Sequence, residues 1–139
     1  MAKLIAPTTY GKMADIGLLL LRLTFGGLMA INHGWPKLQK FFADDPVKFA
    51  DPFGIGMSGS LGLAVFAELI CGFLLVIGLF TRTAAVPLII TMLVAAFIIH
   101  GADPLAKKEM ALLYLIPYIV LALTGAGQYS LDYILGKKQ

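Results

Sequence analysis

Long apolar runs alternate along the chain with short polar or glycine-rich segments, and this spacing predicts an all-α membrane protein. The apolar runs cover residues of about 15–33, 59–80, 83–100 and 109–125. Each is close to the roughly 20 residues that a helix needs to cross the hydrocarbon core of a bilayer. We therefore predict one membrane domain over residues 1–139, built as an up-down-up-down four-helix bundle with both termini on the same side.

The link between the first two runs has a different pattern, because it is aromatic and charged. Trp35, Leu38 and Phe42 fall three and four positions apart, which places them on one side of a helix. This predicts a short interfacial helix over about 36–44. The glycine-rich run 54–59 formally matches the dinucleotide-binding pattern GxGxxG, but no strand precedes it, and we interpret it as a turn.

The composition excludes several classes of protein. Of 139 residues, 59% are hydrophobic and 14% are charged, whereas soluble domains carry about 25% charged residues. The net charge of +3 is spread over the membrane edges, which argues against nucleic-acid binding. The single cysteine, Cys71, excludes an internal disulfide. Five basic residues of the termini and the second turn oppose five in the other two loops, so the positive-inside rule leaves the orientation open.

A charged residue, Arg22, lies near the middle of the first predicted span. A charge at that depth costs at least about 2.5–3.5 kcal/mol if it is unpaired. Arg22 precedes His33 by 11 residues, roughly 16 Å along a helix, and Glu68 lies at a similar depth in the second span. We predict that Arg22 and Glu68 meet inside the bundle, either to fix helix register or to take part in binding or proton handling. The alternative is that Arg22 reaches towards the terminal face and Asp15.

A second group of polar residues is expected at one membrane face: His33, His100 and Glu109, with Lys37 one helical turn beyond His33. Such a pocket offers hydrogen bonds to a quinone or another small carbonyl compound. A metal or a bis-His haem is the alternative, but the paired spacing of an HxxxH or ExxH site is absent. Hydrogen bonding and helix capping without a ligand is a further interpretation. The predicted ligand-binding residues are Arg22, Glu68, His33, His100, Glu109 and Lys37, and no metal site is predicted.

Three segments carry recognisable motif residues over nearly the whole chain. They are Arg22…Gly26-Gly27…His33-Gly34…Lys37-Leu38; Glu68…Gly72…Gly78-Leu79…Thr81-Arg82-Thr83-Ala84-Ala85; and His100…Glu109…Ala111-Leu112-Leu113-Tyr114…Gly125-Ala126-Gly127-Gln128-Tyr129-Ser130-Leu131-Asp132. In this order they resemble the DoxX family of small bacterial membrane proteins. One departure is Ala126, where many relatives have proline, and it affects only the turn after the fourth span.

The resemblance implies four transmembrane helices in the bacterial inner membrane, with both termini in the cytoplasm and His33, His100 and Glu109 on the periplasmic face. It also implies a link to quinone-linked sulfur oxidation, membrane oxidoreductase complexes or thiol redox balance. We therefore expect an accessory or quinone-linked component of a membrane oxidoreductase system. No self-contained catalytic motif is present, so any enzymatic role would be that of an oxidoreductase subunit.

Two other functions fit the same residues. One is a small-solute or proton transporter that acts as a homo-oligomer, with the buried charges on its pathway. The other is a ligand-free scaffold subunit, in which those charges only specify the fold. The expected partners are the lipid bilayer and, depending on the function, membrane oxidoreductase subunits or further copies of the chain.

Overall fold

The computed structural model describes residues 9–138, which form helices and connecting loops without any strand. The helices are α1 (Lys12–Phe41), α2 (Met57–Ile77), α3 (Thr81–Ile99), α4 (Leu105–Thr124) and α5 (Leu131–Gly136). The predicted all-α class is confirmed for this part of the chain.

Three helices have the length and apolarity of membrane spans: α1 with 30 residues, α2 with 21 and α3 with 19. The helix α4 is also 20 residues long, but its first five residues include the three charged residues Lys107, Lys108 and Glu109, so by composition it falls outside that group. That α4 crosses the membrane as the fourth member of a bundle stays a prediction.

The structure differs from the predicted interfacial helix at about 36–44, because α1 continues without a break to Phe41. In a regular α-helix the ring of Pro36 would clash with the carbonyl of Asn32. The backbone over Ala30–Gly34 instead makes a wide π turn, which leaves room for the proline. At 30 residues α1 is roughly 45 Å long, so it extends beyond a hydrocarbon core of about 30 Å.

The close approach of α1 to α2 depends on a row of small residues, Gly26, Ala30 and Gly34, spaced by four. A Cβ added to Gly34 would lie 2.6 Å from the Cα of Leu69, and one added to Gly26 would lie 2.7 Å from the carbonyl oxygen of Gly72. These two contacts fix the register of the helices. They place Gly34 level with Leu69, and therefore close to the level of Glu68.

The common core of the helices is formed by apolar side chains of α1 to α4. Leu75, Leu88, Tyr118 and Leu121 are 0% exposed, and Cys71 packs among them as a small buried residue. Large apolar side chains also cover the outward sides of the helices, where a lipid environment suits them. Examples are Phe73, Ile90, Phe97 and Leu123.

Candidate functional site

Arg22 is completely buried, and its partners are backbone carbonyls. Its Nη1 donates to the carbonyls of Leu75 and Val76, each at 3.3 Å, and Nη2 donates to the carbonyl of Tyr129. The first two carbonyls belong to the last turn of α2, where a cation complements the helix dipole, and the carbonyl of Leu75 also accepts from the backbone N–H of Gly78 at 3.1 Å. Arg22 therefore caps the C-terminus of α2 and ties it to the segment before α5.

The predicted Arg22–Glu68 pair is wrong. The Gly34–Leu69 contact sets Glu68 about level with Gly34, which is roughly 18 Å along α1 from Arg22. The depth estimate assumed that α1 ends near His33, whereas it ends at Phe41. The side chain of Arg22 instead reaches towards the segment that follows α4, in the direction that the alternative interpretation expected, but its partner there is the carbonyl of Tyr129 and not Asp15.

Two aspartates surround the arginine end of the bundle. Asp132 accepts hydrogen bonds from the backbone N–H groups of Phe80 (2.7 Å) and Thr81 (2.9 Å), so it caps the start of α3, and its charge acts on Arg22. Asp15 is 0% exposed and accepts from the Thr9 hydroxyl at 3.1 Å. We call Arg22, Asp15 and Asp132 the terminal-side cluster.

The terminal-side cluster also explains the glycine between α2 and α3. Gly78 has φ +70°, a left-handed conformation that favours glycine, and a Cβ there would collide with the guanidinium of Arg22. The backbone N–H of Asp132 donates to the carbonyl of Gly78 at 2.8 Å. Sequence reasoning did not single out Asp132, although it belongs to the third motif segment that resembled the DoxX family.

A different arrangement lies at the other end of α1. Lys37 Nζ and Glu68 Oε2 are 2.5 Å apart, with 24% and 6% of their side chains exposed. His33 lies one turn before Lys37, is half-buried, and interacts electrostatically with both charges. Its ring meets the edge of Tyr114 with centroids 5.7 Å apart. We call His33, Lys37, Glu68 and Tyr114 the loop-side cluster.

Within the loop-side cluster, His33 keeps its hydrogen-bonding capacity. Among residues 9–138, neither ring nitrogen of His33 has a hydrogen-bond partner, while Phe25 packs against Tyr114 with centroids 5.6 Å apart. The cluster thus combines an ammonium, a carboxylate and an imidazole against an aromatic wall. Such a set can donate to a carbonyl oxygen and exchange protons with it.

Arg22, His33 and Glu68 share one local feature. Each lies on a π turn, which interrupts the regular α-helical hydrogen-bond ladder. Such turns are frequent at functional sites. They carry no clear sequence signal, which is why the analysis of apolar spacing did not predict them.

The structure does not bring His100 or Glu109 into the loop-side cluster. His100 Nδ1 lies 2.8 Å from Asp103 Oδ2 in the α3–α4 loop. Glu109 precedes Tyr114 by five residues, roughly 140° around the helix, so it faces outward when Tyr114 faces inward. Across residues 9–138, no three His, Cys, Asp or Glu side chains are grouped so that they could hold a metal ion.

Comparison with known proteins identifies relatives of the chain. The family model described as DoxX matches residues 17–101. An uncharacterized protein of Haemophilus influenzae is 34% identical over 117 residues, which cover 79% of this chain and 84% of that protein. The protein named inner membrane protein YqjF of Escherichia coli is 28% identical over 132 residues, covering 91% and 98%. No solved structure gives a significant match.

Proposed function

Because the chain belongs to the DoxX family, we propose that it is a bacterial inner-membrane component of a redox system, whose loop-side cluster binds a small carbonyl compound of the quinone class. The name of the Escherichia coli relative supports the inner-membrane location. The proposal includes α4 as a fourth span and both termini in the cytoplasm, which places the loop-side cluster towards the periplasm.

The observation that carries the proposal is the Lys37–Glu68 pair beside the free imidazole of His33. The ammonium and the imidazole donate to a quinone carbonyl oxygen, and Tyr114 supplies an aromatic surface for the ring. Reduction of a quinone to a hydroquinone takes up two electrons and two protons. His33 and Glu68 relay two protons from the solvent on the loop side to the quinone oxygens, and the two electrons come from a partner oxidoreductase subunit.

The ligand reaches this cluster from the loop side rather than from the lipid. An apolar groove of about 400 Å³ runs on the outer side of α1 and α2, lined by Ala30, Ile31, Trp35, Leu69, Ile70 and Phe73. The tight Gly34–Leu69 contact separates this groove from Glu68. Lys37, by contrast, is partly exposed, so the head of the ligand approaches along Lys37.

Quenching of tryptophan fluorescence tests the proposal, because Trp35 is the single tryptophan and lies two residues from Lys37. Trp35 also lines the apolar groove on α1 and α2, so only the quenching that is lost in Glu68→Gln and His33→Gln reports binding at the cluster. Purified full-length protein is titrated with a short-tailed quinone. We expect saturable quenching in the wild type. The apparent Kd should be at least about tenfold higher in Glu68→Gln and in His33→Gln, as when a polar partner of the ligand is lost. His100→Gln is the matched control, since His100 lies outside the cluster, and it should bind as the wild type does.

Equal quenching in Glu68→Gln and the wild type would contradict the proposal. So would organic extraction of the purified protein that yields only ordinary phospholipid. A proton flux in liposomes that is lost in Glu68→Gln, without any quinone binding, would favour the transporter.

A further inference from the structure

The short helix α5 is held against the turn that joins α2 to α3. The backbone N–H of Asp132 donates to the carbonyl of Gly78 at 2.8 Å. The Asp132 carboxylate accepts from the backbone N–H groups of Phe80 and Thr81. Both α2 and α3 have the length and apolarity of membrane spans, and this turn marks the end of both. The helix α5 therefore lies at the depth of the membrane surface.

The outward face of α5 is apolar and its inward face is polar, which is the reverse of a surface helix on a water-soluble protein. Ser130 and Asp132 are only 5% and 6% exposed. Leu131, Ile134 and Leu135 follow the i, i+3, i+4 spacing of one helix face, and they are 38%, 51% and 39% exposed. At the depth of the membrane surface, this apolar face suits the acyl chains of a lipid.

The charges on the two sides of the membrane differ in balance. Among residues 9–138, the loop side (33–68 and 100–109) carries five Lys and Arg residues and six Asp and Glu residues. The remaining described residues, which form the terminal side, carry five basic residues but only two acidic ones, Asp15 and Asp132. Both of these acids are buried and already accept hydrogen bonds from the chain. The exposed charge on the terminal side is therefore basic.

Two of these basic residues, Lys137 and Lys138, directly follow α5 and are exposed. The Nζ of Lys137 lies 4.5 Å from the centre of the Tyr133 ring, a cation–π contact that keeps this ammonium beside the helix. No acidic side chain of residues 9–138 forms a salt bridge with either lysine. An apolar face and two ammonium groups thus stand next to each other at the membrane surface. An anionic lipid complements both, since its chains are apolar and its headgroup is negative.

We propose that α5, together with Lys137 and Lys138, binds an anionic phospholipid. The acyl chains lie against the apolar face of α5, and the phosphate lies between the two ammonium groups. Phosphatidylglycerol has the required net negative charge. Phosphatidylcholine shares its chains and its phosphate but carries a cation of its own, so it is the matched ligand control. The site lies on the opposite side of the membrane from the loop-side cluster, and it requires no quinone.

Native mass spectrometry of the full chain, released from nanodiscs with equal amounts of the two lipids, tests this site. We expect the wild type to retain phosphatidylglycerol about three- to tenfold over phosphatidylcholine, the scale for two lysines near an anionic surface. The double variant Lys137→Gln, Lys138→Gln should bring that ratio below about twofold, because the amides carry no charge. The matched control is Lys107→Gln, Lys108→Gln, which removes the same charge from the loop side and should keep the wild-type ratio.

A further variant, Ile134→Ser, makes the outward face of α5 polar and should lower the retention of both lipids. The proposal is overturned if the wild type retains both lipids equally, or if Lys137→Gln, Lys138→Gln keeps the preference. It is also overturned if the loop-side control loses the preference to the same extent, since the preference would then follow the net charge of the protein. Conversion of a dimer to a monomer by Ile134→Ser, with the lipid ratio and retention unchanged, would assign the face to a second copy instead.

Discussion

The terminal-side and loop-side clusters hold buried charge in opposite ways. At the terminal side, Arg22 donates to carbonyls of Leu75, Val76 and Tyr129, which do not titrate near neutral pH. At the loop side, Lys37 and Glu68 pair as two side chains that can each gain or lose a proton, beside a histidine with free nitrogens. The first arrangement is fixed by the fold, whereas the second can respond to a ligand.

This difference separates a structural role from a functional one within a single helix. Arg22 is the residue that an apolar run makes most conspicuous, yet all of its described hydrogen-bond partners belong to the backbone of the same chain. The loop-side pair is less conspicuous in the sequence, because Lys37 lies in a polar stretch, although Glu68 is the only charge in its span. In this protein the most unusual residue marks the fold, and the more ordinary pair marks the candidate site.

The largest effect should come from Arg22→Leu. The substitution removes the donor to three carbonyls and the positive charge that acts on Asp132, so we expect a loss of about 3–5 kcal/mol in the free energy of unfolding. Unfolding in mixed detergent, followed by circular dichroism, measures it. Arg22→Lys should recover only part of the loss, since one ammonium cannot replace the guanidinium fork. Wild-type stability in Arg22→Leu would remove the structural role of the terminal-side cluster.

A smaller loss is expected where the two helices touch. Gly34→Ala places a methyl group 2.6 Å from the Leu69 backbone, so α1 and α2 must separate at a cost of about 1–3 kcal/mol. Quinone affinity should fall as well, because Lys37 and Glu68 move apart. Gly17→Ala is the matched control: a Cβ at Gly17 meets nothing within 4 Å, and the helix should gain up to about 1 kcal/mol. Similar unfolding curves for the two variants would contradict the close contact.

A double-mutant cycle tests whether the loop-side pair serves binding or stability. Glu68→Leu alone leaves the Lys37 ammonium without its partner and should cost about 1–2 kcal/mol, a value reduced by the partial exposure of Lys37. Combining it with Lys37→Met should return the unfolding free energy close to that of the wild type. We expect the double variant to fold normally but not to bind quinone. Binding retained in the double variant would show that the pair is only structural.

The smallest effect concerns pH at the loop side. The Ser60 hydroxyl donates to Asp51 at 2.7 Å, and mainly this bond holds the pKa of Asp51 below its ordinary value of 3.8. A carboxyl whose pKa is lowered by folding stabilises the folded state at pH values above the pKa that it has in the unfolded chain. That contribution is lost as the pH falls through the lower pKa of the folded state. The melting temperature should therefore fall less steeply between pH 6 and pH 3 in Asp51→Asn than in the wild type. Arg22→Lys should keep the wild-type slope of melting temperature against pH.

The sequence predicted the helices better than their contacts. The third predicted span, 83–100, agrees closely with α3 (Thr81–Ile99), because apolar spacing is a local property. The end of α1 was missed, since Pro36 normally interrupts a helix and the π turn that accommodates it has no sequence signature. His33, Lys37 and Glu68 of the loop-side cluster were predicted as site residues, whereas Tyr114 was not. Their pairing was not, because it depends on the helix register that Gly34 and Leu69 set.

The hydrogen bond from Arg22 to Tyr129 spans 107 positions of the chain, and this has a consequence for biosynthesis. During translation α1 enters the membrane long before the residues that follow α4 have been made. Until then the guanidinium of Arg22 has only the carbonyls of Leu75 and Val76 as partners. We therefore expect a chain truncated before Tyr129 to hold α1 less firmly against α2 than the full-length chain does.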